Sequence, residues 1–153
     1  MSKQIKNPMT DEEFEKTMCF TKKNVGEKEY KIHQLIYNLK IVNVPKIYKY
    51  DKKNKIMVME KIFSMNISDE YGEDPKDVPI EIFKTIQKII KKLYYFGIEY
   101  PDITGYNFMS YNNKMYIIDF EHCSFFSNKN TKNIDPFVKE FINGLCEWNP
   151  NYR

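Results

Sequence analysis

The sequence predicts a single α+β domain, because strand-like and helix-like segments follow one another along 153 residues without an internal repeat. Residues 46–50 and 55–63 are apolar, aromatic-rich segments separated by a polar turn, which is typical of two strands. Residues 79–96 place isoleucines and a leucine at helical spacing, with Pro79 in the first turn and Gly97 as the stop. These patterns predict a small sheet followed by a long helix.

The segment before residue 26 fits two structures. Thr10 and Glu13 form the capping-box pattern of a helix start, whereas apolar residues between Phe14 and Phe20 alternate with polar ones as in a strand. We predict a strand over 14–21. An amphipathic helix is then expected over 26–40.

The second half begins with a polar connector over 64–78 and continues after the long helix with a hairpin. Two short apolar segments flank Asn112 and Asn113, and asparagine tolerates the left-handed conformation of a tight turn. A last helix is expected over 135–146. The order is strand, helix, two strands, connector, long helix, hairpin and final helix.

Charge and composition exclude several classes of function. The 24 basic and 21 acidic residues are mixed along the chain, for a net charge of +3, so a solvated surface is expected and nucleic acid is not an expected partner. No apolar segment is long enough to span a bilayer, which predicts a cytoplasmic protein without a membrane partner. The chain has no alanine and one arginine, a bias typical of an AT-rich genome such as that of a large DNA virus. A viral chain would act in the host cytoplasm.

Cysteine and histidine positions do not predict a structural zinc site. Cys19, Cys123 and Cys146 are odd in number and widely spaced, which argues against a disulfide framework. His33 and His122 lack a third ligand at a suitable spacing.

Three oxygen-bearing side chains are predicted to meet at one end of the hairpin. Asp102 and Asn107 flank the loop that enters it, and Asp119 ends its second strand. Two carboxylates and an amide suit Mg²⁺, and a carboxylate that accepts a hydroxyl proton suits phosphoryl transfer. In the alternative, Asp102 and Asn107 only form a turn. A lone carboxylate buried in "YIIDF" would then cost on the order of several kcal/mol.

The segments "YPDITGYNFM" and "YIIDFE" resemble the catalytic loop and metal-binding loop of the protein-kinase-like fold. "DITGYN" looks closer to the small atypical kinase of the KEOPS tRNA-modification complex than to ordinary signalling kinases, and "IDFE" is similar to choline kinases and their antibiotic-phosphorylating relatives. The resemblance runs from about residue 14 to 146. It implies one domain over 1–153, with 14–63 as a remnant of the amino-terminal lobe and 64–153 as a reduced carboxy-terminal lobe.

The resemblance assigns roles to the polar residues. Asp102 would orient and deprotonate the acceptor hydroxyl, and Asn107 and Asp119 would hold Mg²⁺ on the phosphates of ATP. Glu29 would pair with a strand lysine, for which Lys16 is our candidate.

That pairing has alternatives. Lys22 and Lys23 lie so close to the helix that they would sit at its entrance, and Lys16 and Glu29 could instead occupy a surface strand and a solvated helix face. Glu60, Lys61 and Ile62 would form the hinge that offers backbone groups to adenine.

The sequence also departs from the kinase pattern. No GxGxxG glycine-rich loop occurs, Tyr100 and Pro101 replace the usual His and Arg, and Glu121 replaces the glycine after Asp119. We therefore expect a truncated two-lobe kinase-like fold. Two functions follow: an ATP- and Mg²⁺-dependent phosphotransferase acting on a protein or small-molecule hydroxyl, or a pseudokinase that binds a host protein, such as a host kinase, as a decoy. Retention of all three site residues favours the enzyme.

Overall fold

A computed structural model describes residues 8–127 and 133–152. The helices are α1 (Asp11–Met18), α2 (Glu27–Leu39), α3 (Ile67–Tyr71), α4 (Ile80–Tyr95) and α5 (Pro136–Ile142). The strands are β1 (Cys19–Lys22), β2 (Ile47–Asp51), β3 (Ile56–Glu60), β4 (Ile98–Glu99), β5 (Phe108–Tyr111), β6 (Lys114–Ile117) and β7 (Ser124–Phe125). None of the helices in these ranges is both long enough and apolar enough to cross a membrane.

The amino-terminal half is built on a three-stranded antiparallel sheet in the order β1-β3-β2. The central strand β3 buries three consecutive side chains, Met57 to Met59, which gives the sheet its apolar character. In the pairing of β1 with β3, Lys22 lies opposite Met57. This register places Lys22 at the end of β1, five residues before the first residue of α2.

Residues 14–18 are helical, so the predicted strand over 14–21 is wrong in its first five residues. The capping box decides the outcome: the Thr10 hydroxyl accepts a hydrogen bond from the Glu13 amide at 3.1 Å, and three acidic residues occupy the first turn of α1. α1 buries no residue, and Phe14 packs edge-on against Tyr48 of β2. The alternation of apolar residues across this segment has no structural meaning until β1 begins at Cys19.

The helix predicted over 26–40 is present as α2. Ile32 and Ile36 are buried, and the helix ends where Lys40 adopts a left-handed conformation with φ of 54°. Its buried face also carries Glu29 and His33. Two polar side chains thus enter the interior from this helix.

The helical part of the molecule is centred on α4, as the sequence predicts. Its buried face is formed by Phe83, Ile86, Ile89, Ile90 and Leu93. The helix is followed by Gly97, with φ of 77°, where an added Cβ would lie 2.9 Å from the Phe126 carbonyl oxygen. α5 packs on α4 and is shorter than the predicted 135–146, because the chain turns at Gly144 with φ of 111°.

The predicted hairpin is formed by β5 and β6. Asn112 and Asn113 both adopt left-handed conformations, with φ of 50° and 60°. The short β4–β7 ladder pairs Ile98 with Phe125 and so returns the chain after Asp119 to the end of α4. These two pairings bring the loop over 100–107 beside the loop that follows β6.

Candidate functional site

A cavity of about 410 Å³ lies between the three-stranded sheet and the β5–β6 hairpin. This volume is within the range of small-ligand sites. Its apolar wall includes Phe20, Met57, Met59, Met109 and Ile118, and its polar wall includes Lys22, Glu29, Asn107 and Asp119. The cavity therefore joins an apolar region to a cluster of charged groups.

Lys22 bridges two carboxylates across the cavity. Its Nζ lies 2.6 Å from Glu29 Oε2 and 3.1 Å from Asp119 Oδ1. Burial acts to lower the Lys22 pKa, but the two carboxylates outweigh burial and raise it, so Lys22 stays an ammonium at neutral pH. The Glu29 side chain is 6% exposed, and burial raises its pKa against the opposing effect of Lys22.

The structure places Lys16 far from this cluster, so the predicted pairing of Lys16 with Glu29 is wrong. Lys16 lies on α1, is 74% exposed and pairs with Glu12 at 3.2 Å. The lysine that contacts Glu29 is Lys22, which the sequence argument set aside because it stands at the entrance of α2. The short β1 ends at that entrance and directs the side chain toward the helix.

Asp119 occupies a strained backbone position. Its φ of 66° is in the left-handed region, which is uncommon for a residue other than glycine. Its Oδ1 accepts a hydrogen bond from the Glu121 amide at 3.3 Å as well as the contact from Lys22. Next to it, Phe120 is buried and packs edge-on against His33 of α2. Packing below the loop therefore compensates the strain and holds the carboxylate at the cavity wall.

The loop that carries Asp102 is tied to the Asp119 loop by backbone hydrogen bonds. The Ile118 amide donates to the Asn107 carbonyl at 3.0 Å, and the buried Tyr100 hydroxyl donates to the Ile118 carbonyl at 2.6 Å. Within the loop, Asn107 Nδ2 donates to the Asp102 carbonyl at 2.8 Å. These bonds fix the relative positions of the three residues that the sequence singled out.

The carboxy-terminal segment supports the same loop. Asn149 is fully buried. Its backbone amide donates to the Ile103 carbonyl at 2.8 Å, and its side-chain Nδ2 donates to the Pro101 carbonyl at 2.7 Å. Asn149 is thus hydrogen-bonded to the residues on both sides of Asp102. Sequence reasoning did not find this role, because it joins positions 48 residues apart.

The Asp102 carboxylate is largely enclosed, with a side-chain exposure of 11%. Burial raises its pKa, while the hydrogen bond from His122 lowers it and the charge of Asp119 raises it further. His122 Nδ1 lies 3.2 Å from Asp102 Oδ2. A buried carboxylate with a raised pKa is a stronger base than a solvated one.

The residues predicted to bind Mg²⁺ have suitable donor chemistry. Because Asn107 Nδ2 faces the Asp102 carbonyl, the amide oxygen is the atom left to act as a ligand. The described hydrogen bonds of Asp119 use Oδ1, which leaves Oδ2. Among residues 8–127 and 133–152, no group of three or more His, Cys, Asp or Glu side chains could hold a metal without further ligands. A cation here would need oxygens from a bound phosphate, which is how Mg²⁺ is usually held.

The three predicted hinge residues line the cavity. The Glu60 amide donates to the Lys46 carbonyl at 2.7 Å, and the Lys61 amide donates to the Met18 carbonyl at 3.2 Å. The Ile62 amide has no acceptor among the described backbone hydrogen bonds. Of the three, Ile62 is the residue whose amide can contact a ligand.

Phe20 is a second cavity residue that the sequence argument missed. It lies two residues before Lys22 on β1, lines the cavity and is 54% exposed. The period-two spacing of Phe20 and Lys22 was a usable signal, because both side chains must lie on the same face of a strand. The predicted strand over 14–21 included Phe20 but ended one residue before Lys22, so the pair was not recognised.

Comparisons with known proteins agree with this geometry. A family model described as the RIO domain matches residues 3–134. The KEOPS complex subunit Bud32 of Pyrococcus abyssi (strain GE5 / Orsay) is 30% identical over 94 residues, which cover 61% of this chain and 43% of that protein.

Among solved structures, that of the Cydia pomonella granulovirus kinase, PK-1, is similar, with a TM-score of 0.53 and 15% identity. The match covers 70% of this chain and 42% of the viral kinase, so this chain spans less than half the length of either relative. At 15% identity the likeness shows the fold alone, and it confirms the predicted protein-kinase-like fold.

Proposed function

This chain belongs to the RIO-domain family, and from that premise we propose that it is an ATP- and Mg²⁺-dependent phosphotransferase. Membership supports a protein-kinase-like phosphotransferase that binds a nucleotide. The finer proposal is that the γ-phosphoryl group of ATP passes to a hydroxyl of a protein or a small molecule. We further propose that residues 14–63 and 64–153 act as two lobes that hold the nucleotide between them.

The observation that carries the proposal is the Lys22 ammonium held between Glu29 and Asp119 inside a ligand-sized cavity. Glu29 is the more deeply buried partner and makes the shorter contact, so it fixes the lysine in place. Lys22 can then offer its remaining N–H groups to phosphate oxygens. A purely structural ion pair would not need a cavity beside it.

Asp102 is the proposed base. Its carboxylate is enclosed and its pKa is raised by burial, so it can accept the proton of an acceptor hydroxyl as the hydroxyl oxygen attacks phosphorus. Asn107 and Asp119 would hold Mg²⁺, which when bound neutralises the charge of the phosphate oxygens. The Asn107 amide also anchors the Asp102 backbone, so the base and the proposed metal ligand keep a fixed relationship.

The apolar wall suits the nucleobase of ATP. Met57, Met59 and Met109 give adaptable apolar contact, and the Ile62 amide supplies a donor for a base nitrogen. Phe20 lies on the sheet side of the cavity and would pack against the nucleobase from that side. This is where the glycine-rich loop contributes in larger kinases.

Nucleotide binding is tested by thermal unfolding with and without Mg²⁺-ATP. At a ligand concentration of about 100 times Kd, binding should stabilise the protein by about 2.7 kcal/mol. Lys22→Met should abolish most of this gain. Lys16→Met is the matched control and should leave the gain unchanged, because Lys16 is exposed on α1 and pairs with Glu12, away from the cavity.

Phosphoryl transfer is then tested with radiolabelled ATP and a panel of protein and small-molecule hydroxyl acceptors. Asp102→Asn keeps the shape of the side chain and removes the base, so incorporation should fall by about 10²-fold or more. Incorporation equal to that of the wild type would remove Asp102 from its proposed role.

A second candidate function is a pseudokinase that binds a partner, such as a host kinase, without phosphoryl transfer. Apolar side chains exposed near the cleft favour it: Phe20 is 54% exposed, Phe63 51% and Met65 55%. Unfolding temperatures that do not change with ATP or ADP, in the presence of Mg²⁺ or Mn²⁺, would favour this function over the enzyme.

A further inference from the structure

His122 contacts the proposed base directly. Its Nδ1 lies 3.2 Å from Asp102 Oδ2, and of the side-chain hydrogen bonds to the Asp102 carboxylate it has the larger effect on the Asp102 pKa, ahead of that from Asn107. The chain has two histidines, and the other one, His33, makes a different contact, with Nε2 2.7 Å from the Pro45 carbonyl oxygen. The two rings therefore use different nitrogens.

The His122 ring is held in place from its other side. It packs against the Tyr152 ring with centroids 5.0 Å apart, and Tyr152 lies in a short 3₁₀ turn that follows the buried Asn149. On the chain side, the Cys123 amide donates to the Phe120 carbonyl at 3.2 Å and closes the turn that carries His122. The ring thus lies between two ordered segments, although its side chain is 45% exposed.

The contact meets a need of Asp102. The carboxylate is 11% exposed, so few water molecules can hydrogen-bond to it, and it lies near the like charge of Asp119. A protein donor is therefore needed to hold the two carboxylate oxygens in one orientation. A neutral imidazole can donate to the carboxylate through Nδ1 only in its Nδ1–H form. The neighbouring Cys123 does not form a Cys–His nucleophile with His122, because the thiol is buried and burial raises its pKa well above the ordinary value.

We propose that His122 is a positioning residue for Asp102: its Nδ1–H donates to Oδ2, fixes the carboxylate, and leaves Oδ1 as the oxygen that accepts the hydroxyl proton. The kinetic part of this inference rests on the proposed phosphotransferase function. The contact itself does not, so the two can be tested separately.

The first test reads the tautomer by ¹⁵N NMR of the imidazoles at pH 8.5, above the usual range of imidazole protonation. In the wild type we expect His122 as Nδ1–H and His33 as Nε2–H, so that His33 serves as the internal reference. In Asp102→Ala, His122 should lose its Nδ1–H preference while His33 is unchanged. An Nε2–H form of His122 in the wild type, or no change in Asp102→Ala, would overturn the proposal whether or not the protein is an enzyme.

The second test compares His122→Leu with His122→Asn. Asn Nδ2 can occupy the position of histidine Nδ1 and donate, whereas leucine cannot. His122→Leu should lower kcat for phosphate transfer by about 10- to 100-fold with little change in KM for ATP, because misorienting a catalytic group by about 1 Å can cost about 10²-fold. His122→Asn should recover most of that loss.

Three kinetic results would count against the positioning role. These are equal kcat for His122→Leu and wild type, a change confined to KM, or equal losses in both variants. Unfolding temperatures of both variants show whether a loss comes from misfolding. If the wild type transfers no phosphate to any acceptor, the proposed function fails, while the tautomer result still decides whether His122 positions Asp102.

Discussion

Mild acid should destabilise this fold through His33, a residue of α2 that lines the cavity. The side chain is 1% exposed, and its Nε2 lies 2.7 Å from the Pro45 carbonyl oxygen, so the neutral ring donates this bond. Burial, aided by the nearby Lys22 ammonium and opposed by the bond to Pro45, lowers the His33 pKa from 6.5 to about 4.

The sign of the effect follows from proton binding in the two states. Below pH 6.5 the unfolded chain binds a proton at His33, whereas the folded protein does not until the pH approaches 4. The contribution of His33 to the free energy of unfolding therefore falls as pH drops through this window and is constant below it. For these two pKa values, the loss between pH 7 and pH 5 is about 2 kcal/mol. Burial raises the pKa of Glu29 and Asp102, which has the opposite effect on stability.

The assay therefore compares two proteins. Urea unfolding at pH 7, 6 and 5 is measured for the wild type and for His33→Gln, whose amide can donate to the same carbonyl but does not titrate. Between pH 7 and 5 the wild type should lose about 2 kcal/mol more than the variant. Parallel stability profiles that agree to within about 0.5 kcal/mol would refute the assignment of a buried neutral His33.

Three further predictions concern two buried positions beside the site and the relative reactivity of two cysteines. Asn149→Ala should destabilise the fold by about 1–3 kcal/mol in urea, because it removes the hydrogen bonds that the buried Asn149 Nδ2 donates to the Pro101 carbonyl and to Asp135 Oδ2. Gly105→Ala should cost more than about 2 kcal/mol in the same assay, since the new Cβ would lie 2.3 Å from Ser68 Oγ and 3.0 Å from its backbone nitrogen. In the native protein iodoacetamide should modify Cys146, which is half-buried, well before Cys123, and mass spectrometry reads the order.

Elements with strong local signals could be predicted from the sequence. The long helix had isoleucines at helical spacing and a glycine stop, and the hairpin had two asparagines that adopt the left-handed conformation. The loop between them was also found, because a spacing of five residues between Asp102 and Asn107 is visible without coordinates. In each case the information lies within about 20 residues of sequence.

The lysine partner of Glu29 could not be predicted in the same way. Which lysine contacts Glu29 depends on where α1 ends and β1 begins. In this segment a capping box predicts a helix, whereas an alternation of apolar residues that has no structural meaning predicts a strand. Helix boundaries are the least certain part of such a reading, and a shift of a few residues exchanged Lys22 for Lys16. His122 and Asn149 were missed for another reason, because each acts on Asp102 or its neighbours across contacts that only the folded chain makes.

The cluster around Lys22 is asymmetric, and this asymmetry would let one site serve both stability and the proposed binding of a nucleotide. Glu29 is buried and 2.6 Å from the ammonium, whereas Asp119 is 31% exposed and 3.1 Å away, on a loop 97 residues distant in sequence. Glu29 is the buried member of its pair, so separating it from Lys22 would leave a buried carboxylate without a counter-ion, and we expect this pair to persist when a ligand binds. The contact with Asp119 is more solvated and therefore weaker, so it can be exchanged for phosphate oxygens on Lys22 and for a cation on Asp119. A nucleotide would thus replace one ion pair with two new ones while the lysine stays in place.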